Sequence, residues 1–311
     1  MSSGFKLLTH TRDGCPIGAV AIGASAYDLA AVRSATPTVL AVLEDWAGAS
    51  ADLRALAADA KKLAQFTCHS LDTLTYAPPV LYPNGIYCAG ANYKDHVVEM
   101  AKAFNLPIEP DPHDTGTPPW CFLKTPRNTL AGHGSTITLP AYSQKVDWEL
   151  EVALVIGRTC KNATLANAMD YVAGYSIIND LSARDHLRRA TVKPGSGSPF
   201  EYDWISHKNW DGACPMGPWI VPKEDIADAG NLPLKLWVNG MLMQDSSTSQ
   251  LIFNDAELVS FISQRCTLYP GDVIATGTPA GVGTPRGIFL KSGDEVRITV
   301  DGIGSLVNRM A

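Results

Sequence analysis

The chain has 311 residues, 46% of them hydrophobic, and a net charge of −6. That composition allows a large buried core, and the acidic balance without a dense Lys/Arg run excludes a nucleic-acid binder that works through a basic face. The length suits a main domain plus a small one.

The opening Met-Ser-Ser-Gly-Phe-Lys has no apolar core of a signal peptide. The Ala-rich stretch 16–32 is broken by Asp28 and by glycines, so it does not read as a membrane span. A cytoplasmic protein is the expectation. The 7 cysteines are scattered without CxxC spacing, which argues against a zinc site and for reduced thiols.

Residues 1–80 read as a small leading domain and 81–311 as the main one. Gly18–Ile22 reads as a strand, and Thr38–Ala64 as helical from the spacing of Leu40, Leu43, Trp46, Leu53 and Leu56. Pro78-Pro79 and Pro83-Asn84-Gly85 punctuate the chain as a linker. Beyond it come short strands and turns. Helices are expected at Lys94–Phe104, Ser182–Ala190 and Ala256–Gln264. Asn239-Gly240 and Asp301-Gly302 each read as a two-residue hairpin turn. No βαβ alternation is present, so the fold class is α+β, mostly β and largely antiparallel.

The most informative stretch is Val146–Ile156. Read as one strand, it puts Val146, Trp148, Leu150, Val152, Leu154 and Ile156 on one face and Asp147, Glu149, Glu151, Ala153 and Val155 on the other. Three carboxylates then stand in a row, neighbours about 7 Å apart. Such a row is either an exposed face neutralised by Lys and Arg or a place where Glu149 and Glu151 converge on a hard cation. Further on, Val172–Ile178 is an apolar strand that runs into Asn179-Asp180-Leu181-Ser182-Ala183-Arg184. Asp180 or Ser182 reads as a helix N-cap, or Asp180 as a third metal carboxylate. A helix here places Arg184 on the face of Asp180, as an ion pair or as a guanidinium that grips a substrate carboxylate.

These blocks together resemble the fumarylacetoacetate hydrolase superfamily. The resemblance runs from Gly90-Ala91-Asn92-Tyr93-Lys94-Asp95-His96 through Glu99, then Phe122-Leu123-Lys124 and Asp147-Trp148-Glu149-Leu150-Glu151. It continues through Asn179–Asp185, His207-Lys208, Pro270-Gly271-Asp272 and Thr276–Gly283, in the family's order, over about residues 82–311. The resemblance implies a mixed β-sandwich roll, commonly homodimeric, with a small N-terminal domain. It implies that Glu149, Glu151 and Asp180 bind one Mg²⁺ or Mn²⁺. His96 and Glu99 would be a water-activating pair on a lid helix, and Lys208 would stabilise developing negative charge. Arg184, Lys124 and the Thr278 loop would hold substrate oxygens. The implied reaction is cleavage of a C–C bond in a small 2,4-dioxo acid to release pyruvate.

The chemistry suits these residues on its own terms. His96 and Glu99 lie three apart on an expected helix, so one can orient the other. Taken alone, the pair is also an ordinary surface ion pair. Two departures stand out. Leu187 occupies a place where the family often has glutamine, and 100–120 is a long segment rich in proline and acid that should help define the lid and the substrate's far end. An isomerase or decarboxylase of oxaloacetate-like or ring-cleavage 2-oxo acids is the competing enzyme. A binding protein whose metal only clamps strands is the reading from another class.

Overall fold

Strand Leu150–Ile156 is the centre of the fold in the computed structural model, which describes residues 4–311. It pairs antiparallel with Val172–Asn179 on one side and with Val273–Ala275 on the other. The sheet extends through Cys214–Pro222, Lys6–Arg12, Cys15–Ile22 and Ser25–Asp28 in one direction. In the other it passes through Ile86–Ala89, parallel to Val273–Ala275, to Cys121–Lys124. A second, five-stranded sheet runs Met241–Ser247, Pro233–Val238, Glu295–Val300, Gly304–Met310, Thr136–Ile137.

The alternation of apolar residues decides how the two sheets stack. Leu150, Val152, Leu154 and Ile156 point into a core shared with Leu234, Leu236, Val296, Ile298 and Leu306 of the second sheet. Ala153 and Val155, on the other face, join a separate core with Val39, Val42, Leu43, Trp46 and Leu53. This is the α+β, mostly β roll expected from the sequence. The leading strands continue the main sheet, with Leu7 paired opposite Ile220. Three helical pieces, Val39–Glu44, Trp46–Ala58 and Ala60–Leu63, replace the single helical stretch read over 38–64.

Two of the expected helices form. Lys94–Phe104 is a helix, and Asp255–Arg265 is another, closed at its N-terminus by a capping box between Asn254 and Glu257. The turn at Asn239-Gly240 has both residues at positive φ, as a two-residue hairpin requires.

Three expectations need correction. Ser182–Ala190 is not a helix. Ser182 and Ala183 pair with Asp147 and Val146, and a single 3-10 turn, Arg184–His186, follows. The pairing takes the backbone groups that a helix would need. Val146–Ile156 is not one strand either. Trp148 N–H donates to the Asp147 carboxylate and Glu149 N–H to Asn179 Oδ1, so side chains replace the ladder at the break. Both faces of Leu150–Ile156 are buried, which rules out an exposed salt-bridged strand face. The turn at Asp301-Gly302 has a third residue, Ile303, with Val300 opposite Gly304. Ile303 is drawn into the core, where its carbonyl accepts from Trp219 Nε1. Among the described residues no helix is long and apolar enough to cross a membrane.

Trp148 is fully buried at the strand break, and its Nε1 donates to the Gly281 carbonyl at 3.1 Å. Trp148→Ala leaves a large cavity and an unpaired carbonyl, and should cost about 3–5 kcal/mol of stability in urea unfolding. A cost under about 1 kcal/mol would show that the break does not depend on the indole.

Candidate metal centre and cavity

The break at Trp148 turns Glu149 toward Glu151. Asp180 comes from the loop after the neighbouring strand, where its N–H donates to the Glu149 carbonyl. Glu149, Glu151 and Asp180 are all buried, and each offers an oxygen within 4.8 Å of the others. Asp147 does not join them. Its carboxylate accepts from Gly283 N–H, Thr284 N–H, Thr284 Oγ1 and the Arg184 Nε, which makes it a structural anchor.

Three cations answer the four acids. Lys208 Nζ lies 2.8 Å from Glu149 Oε2 and 2.6 Å from Asp180 Oδ2. Lys124 Nζ lies 2.6 Å from Asp180 Oδ1. Arg184 bridges Asp147 at 2.9 Å and Glu149 at 2.5 Å. Glu151 has no cation partner among the described residues; the Gly277 N–H donates to its Oε2 at 2.8 Å. With all four acids ionised, the cluster carries one uncompensated negative charge.

The electrostatics follow from this arrangement. Burial opposes the charge on Glu149, but Lys208 and Arg184 outweigh it and hold the carboxyl well below the usual range. Burial, then the charges of Asp180 and Glu149, push Glu151 well above its usual value. Burial also opposes the Lys208 ammonium, and Asp180 and Glu149 override it, so its value rises.

Glu149 and Glu151 form the floor of a cavity of about 520 Å³, lined also by Arg184, Lys208, Thr278 and His96, with Asp180 fully buried beside them. The short helix Trp204–Lys208, capped by Asp203, carries Trp204, His207 and Lys208 to the same wall. Thr278 Oγ1 accepts from Gln244 Nε2, which leaves the hydroxyl hydrogen free to donate. Lys124 sits behind Asp180 with its side chain fully buried and does not line the cavity.

His96 and Glu99 lie on helix Lys94–Phe104, but no bond joins them. Glu99 Oε2 accepts from Gly281 N–H at 2.8 Å, and His96 Nδ1 is buried with no partner. Burial lowers the His96 value, so the imidazole is neutral near pH 7.

The sequence reading assigned nothing to His207. Its Nδ1–H donates to the Ala183 carbonyl at 2.9 Å, which leaves Nε2 bare at the cavity. Burial, then Lys208 and Arg184, pull its value down to about 3. The sequence signal was its neighbourhood, next to Lys208 and close to Trp204 and Trp210. Glu109 and Trp120 belong to the 100–120 segment expected at the substrate's far end, whereas the sequence marks neither Phe122 nor Trp204 as a cavity residue; all four line the cavity.

The family model for the fumarylacetoacetate (FAA) hydrolase C-terminal domain matches residues 85–311. The chain belongs to this family. It is 38% identical over 239 residues to the mitochondrial oxaloacetate tautomerase FAHD2B of Homo sapiens, covering 76% of this chain and 69% of that one. It is 37% identical over 233 residues to a 2,4-didehydro-3-deoxy-L-rhamnonate hydrolase of Sphingomonas sp. (strain SKA58), covering 74% of each. Among solved structures, the maleylpyruvate hydrolase of Sphingobium sp. SYK-6, in complex with manganese(II) ion and pyruvate, superposes with a TM-score of 0.76 at 27% identity, over 98% of each chain.

The roof of the cavity is the long segment after the helix. Leu106, Pro107 and Glu109 line it, and the turn Pro112–Thr115 follows. His113 pins this turn: Nδ1 lies 2.9 Å from Asp111 Oδ1, Nε2 lies 2.8 Å from Glu257 Oε1, and the ring packs 4.8 Å from Phe253. The Glu257 and Asp111 bonds raise the His113 value. His113→Ala should speed deuterium uptake over 106–120 by about two- to fivefold, as expected for the loss of an exposed ion pair. Unchanged uptake in that segment would mean the roof is held elsewhere.

Proposed function

We propose that the chain is a divalent-metal-dependent hydrolase that cleaves the C3–C4 bond of a small 2,4-dioxo acid and releases pyruvate. The observation that carries this reading is a cluster of three converging carboxylates, one of them without a cation, two of which line a cavity beside a half-buried histidine whose Nδ1 is buried without a partner. The donor set fits a hard divalent ion, which prefers carboxylate oxygens. Glu149, Glu151 and Asp180 would hold Mg²⁺ or Mn²⁺. When bound, the ion supplies Lewis acidity toward a chelating 2-oxo carboxylate.

The protein's own groups cover the remaining steps. His96, neutral and facing the cavity, takes a proton from water. Glu99, one turn away, is positioned to orient the imidazole once it exchanges the Gly281 N–H for it. The water oxygen bonds to C4, the C3–C4 bond breaks, and its electron pair stays on C3 as pyruvate enolate. C3 then takes a proton, so water is added across the bond. Lys208, Arg184 and the Thr278 hydroxyl stand at the floor to hold the substrate's oxygens and their developing charge.

A second reading is favoured by the tautomerase relatives and by Leu187, which supplies no polar group at the cavity wall. Keto–enol exchange of oxaloacetate needs a base at C3 but no attack by water. Pyruvate release from 2,4-dioxo acids, measured beside loss of oxaloacetate enol absorbance, separates the two. Rapid enol loss with no pyruvate from any dioxo acid would replace the hydrolase reading.

Removing the ion with a chelator should abolish turnover, and Mg²⁺ or Mn²⁺ should restore it. Glu151→Gln should abolish turnover while raising the melting temperature of the metal-free protein, because it removes a repelled charge. Turnover by exhaustively chelated protein would exclude the metal role. His96→Ala should lower kcat about a hundredfold or more while oxalate still binds. Burial disfavours the imidazolium, so the base form persists on acidification. The acid limb of kcat/KM should therefore lie below the ordinary histidine value of about 6.5. A limb above that value, or one retained in His96→Ala, would assign the base elsewhere.

A further inference from the structure

The cavity has two chemically opposite ends. Its floor is ionic, while the wall beyond is built from Trp120, Phe122, Trp204, Leu187, Leu106 and Met100. The three aromatic rings form one continuous surface. Trp120 lies 5.7 Å from Phe122 and 5.1 Å from Trp204, and Phe122 stacks on Trp204 at 5.3 Å. This surface begins where the ionic floor ends, since Lys208 Nζ sits 4.8 Å from the Phe122 ring centre.

The place of Trp120 is fixed by its backbone and by a glycine. Gly90 N–H donates to the Trp120 carbonyl at 2.9 Å. A Cβ on Gly90 would meet the indole at 1.6 Å, so only glycine lets the ring lie there. Trp120 is nonetheless 49% exposed, so much of its indole is free to meet a ligand.

Charge at the far end is as informative as shape. Arg184 and Lys208 are the lysine and arginine side chains that line the cavity, and both are already paired with floor carboxylates. Both lining histidines, His96 and His207, are neutral. The charged group lining the cavity away from the floor is Glu109. The floor's single excess negative charge, a divalent ion and one substrate carboxylate add to zero. A second substrate carboxylate would meet no cation and would face Glu109, which makes its desolvation costly.

We propose that the acyl end of the substrate is uncharged, apolar and planar, an arene or unsaturated hydrocarbon seated on the Trp120–Phe122–Trp204 surface, and that a second carboxylate or a polyhydroxylated chain is excluded. This rests on the reading of the site as one for 2-oxo acids. The aromatic wall offers ring stacking to a planar group and offers hydroxyls too few partners.

The test compares four dioxo acids with Mn²⁺-loaded protein: benzoylpyruvate, acetylpyruvate, fumarylpyruvate and a 2,4-dioxo-3-deoxy sugar acid. Benzoylpyruvate should exceed the other three in kcat/KM by about tenfold or more. Trp120→Ala should reduce the benzoyl-to-acetyl ratio toward one, and Glu109→Lys should raise the fumaryl-to-benzoyl ratio by about tenfold. Circular dichroism checks that both variants fold. In parallel, calorimetry compares phenylpyruvate with 2-oxoglutarate, neither of which needs to turn over. Fumarylpyruvate as best substrate, or 2-oxoglutarate binding tighter than phenylpyruvate, overturns the inference. If no dioxo acid is cleaved but phenylpyruvate binds tighter, hydrolysis is the wrong reaction and the apolar far end stands. If neither 2-oxo acid binds, the reading of the site and this inference fall together.

Discussion

Four carboxylates are buried together in this fold, and most of the site follows from how their charge is met. Charges taken out of water are tolerable only when paired and hydrogen-bonded. Lys124, Arg184 and Lys208 supply charge, and the loop 276–284 supplies backbone N–H groups. That loop serves four acids at once: Gly277 donates to Glu151, Ala280 to Asp95, Gly281 to Glu99, and Gly283 with Thr284 to Asp147. Glycine is required there. A Cβ at Gly281 would meet the Met243 carbonyl at 2.1 Å, and one at Gly283 the Ile288 carbonyl at 2.0 Å. This glycine-rich run is a set of backbone donors aimed at anions.

The two outermost anchors divide the work. Asp147 accepts from the loop and from Arg184, and so sets where the guanidinium stands relative to Glu149. Lys124 approaches Asp180 from the side away from the cavity, with a second bond to the Leu181 carbonyl. Neither needs to touch a ligand to matter. They determine the direction in which the carboxylate oxygens of their neighbours point.

Much of this was legible in the sequence, and the parts that were not have a common cause. Alternation located Leu150–Ile156 and its two faces, and helical spacing located Lys94–Phe104 with its bounds. Asn239-Gly240 marked its hairpin because the backbone there demands positive φ. Local patterns fail where a distant partner takes over a backbone group. The break at Trp148 depends on Asn179, and the lost helix after Ser182 depends on pairing with Val146 and Asp147. The carboxylate cluster was recognisable from the ordered blocks, whereas the aromatic wall was not. Phe122, Trp120 and Trp204 carry no spacing that distinguishes a cavity surface from a core, and His207 became notable only once Ala183 had fixed its tautomer.

The separation along the chain of the loop from the acids it holds has a consequence for folding. Gly277 and Glu151 are 126 residues apart, and Gly283 and Asp147 are 136 apart. Contacts of such long range close late and slowly, after most of the chain entropy has been spent. The unfolded chain therefore presents no organised cluster, and an ion that binds the finished site binds the native state alone. Each tenfold rise in such an ion above its dissociation constant adds about 1.4 kcal/mol to stability. For an ion held by Glu149, Glu151 and Asp180, the abundance of folded protein in a cell would then follow the free metal there.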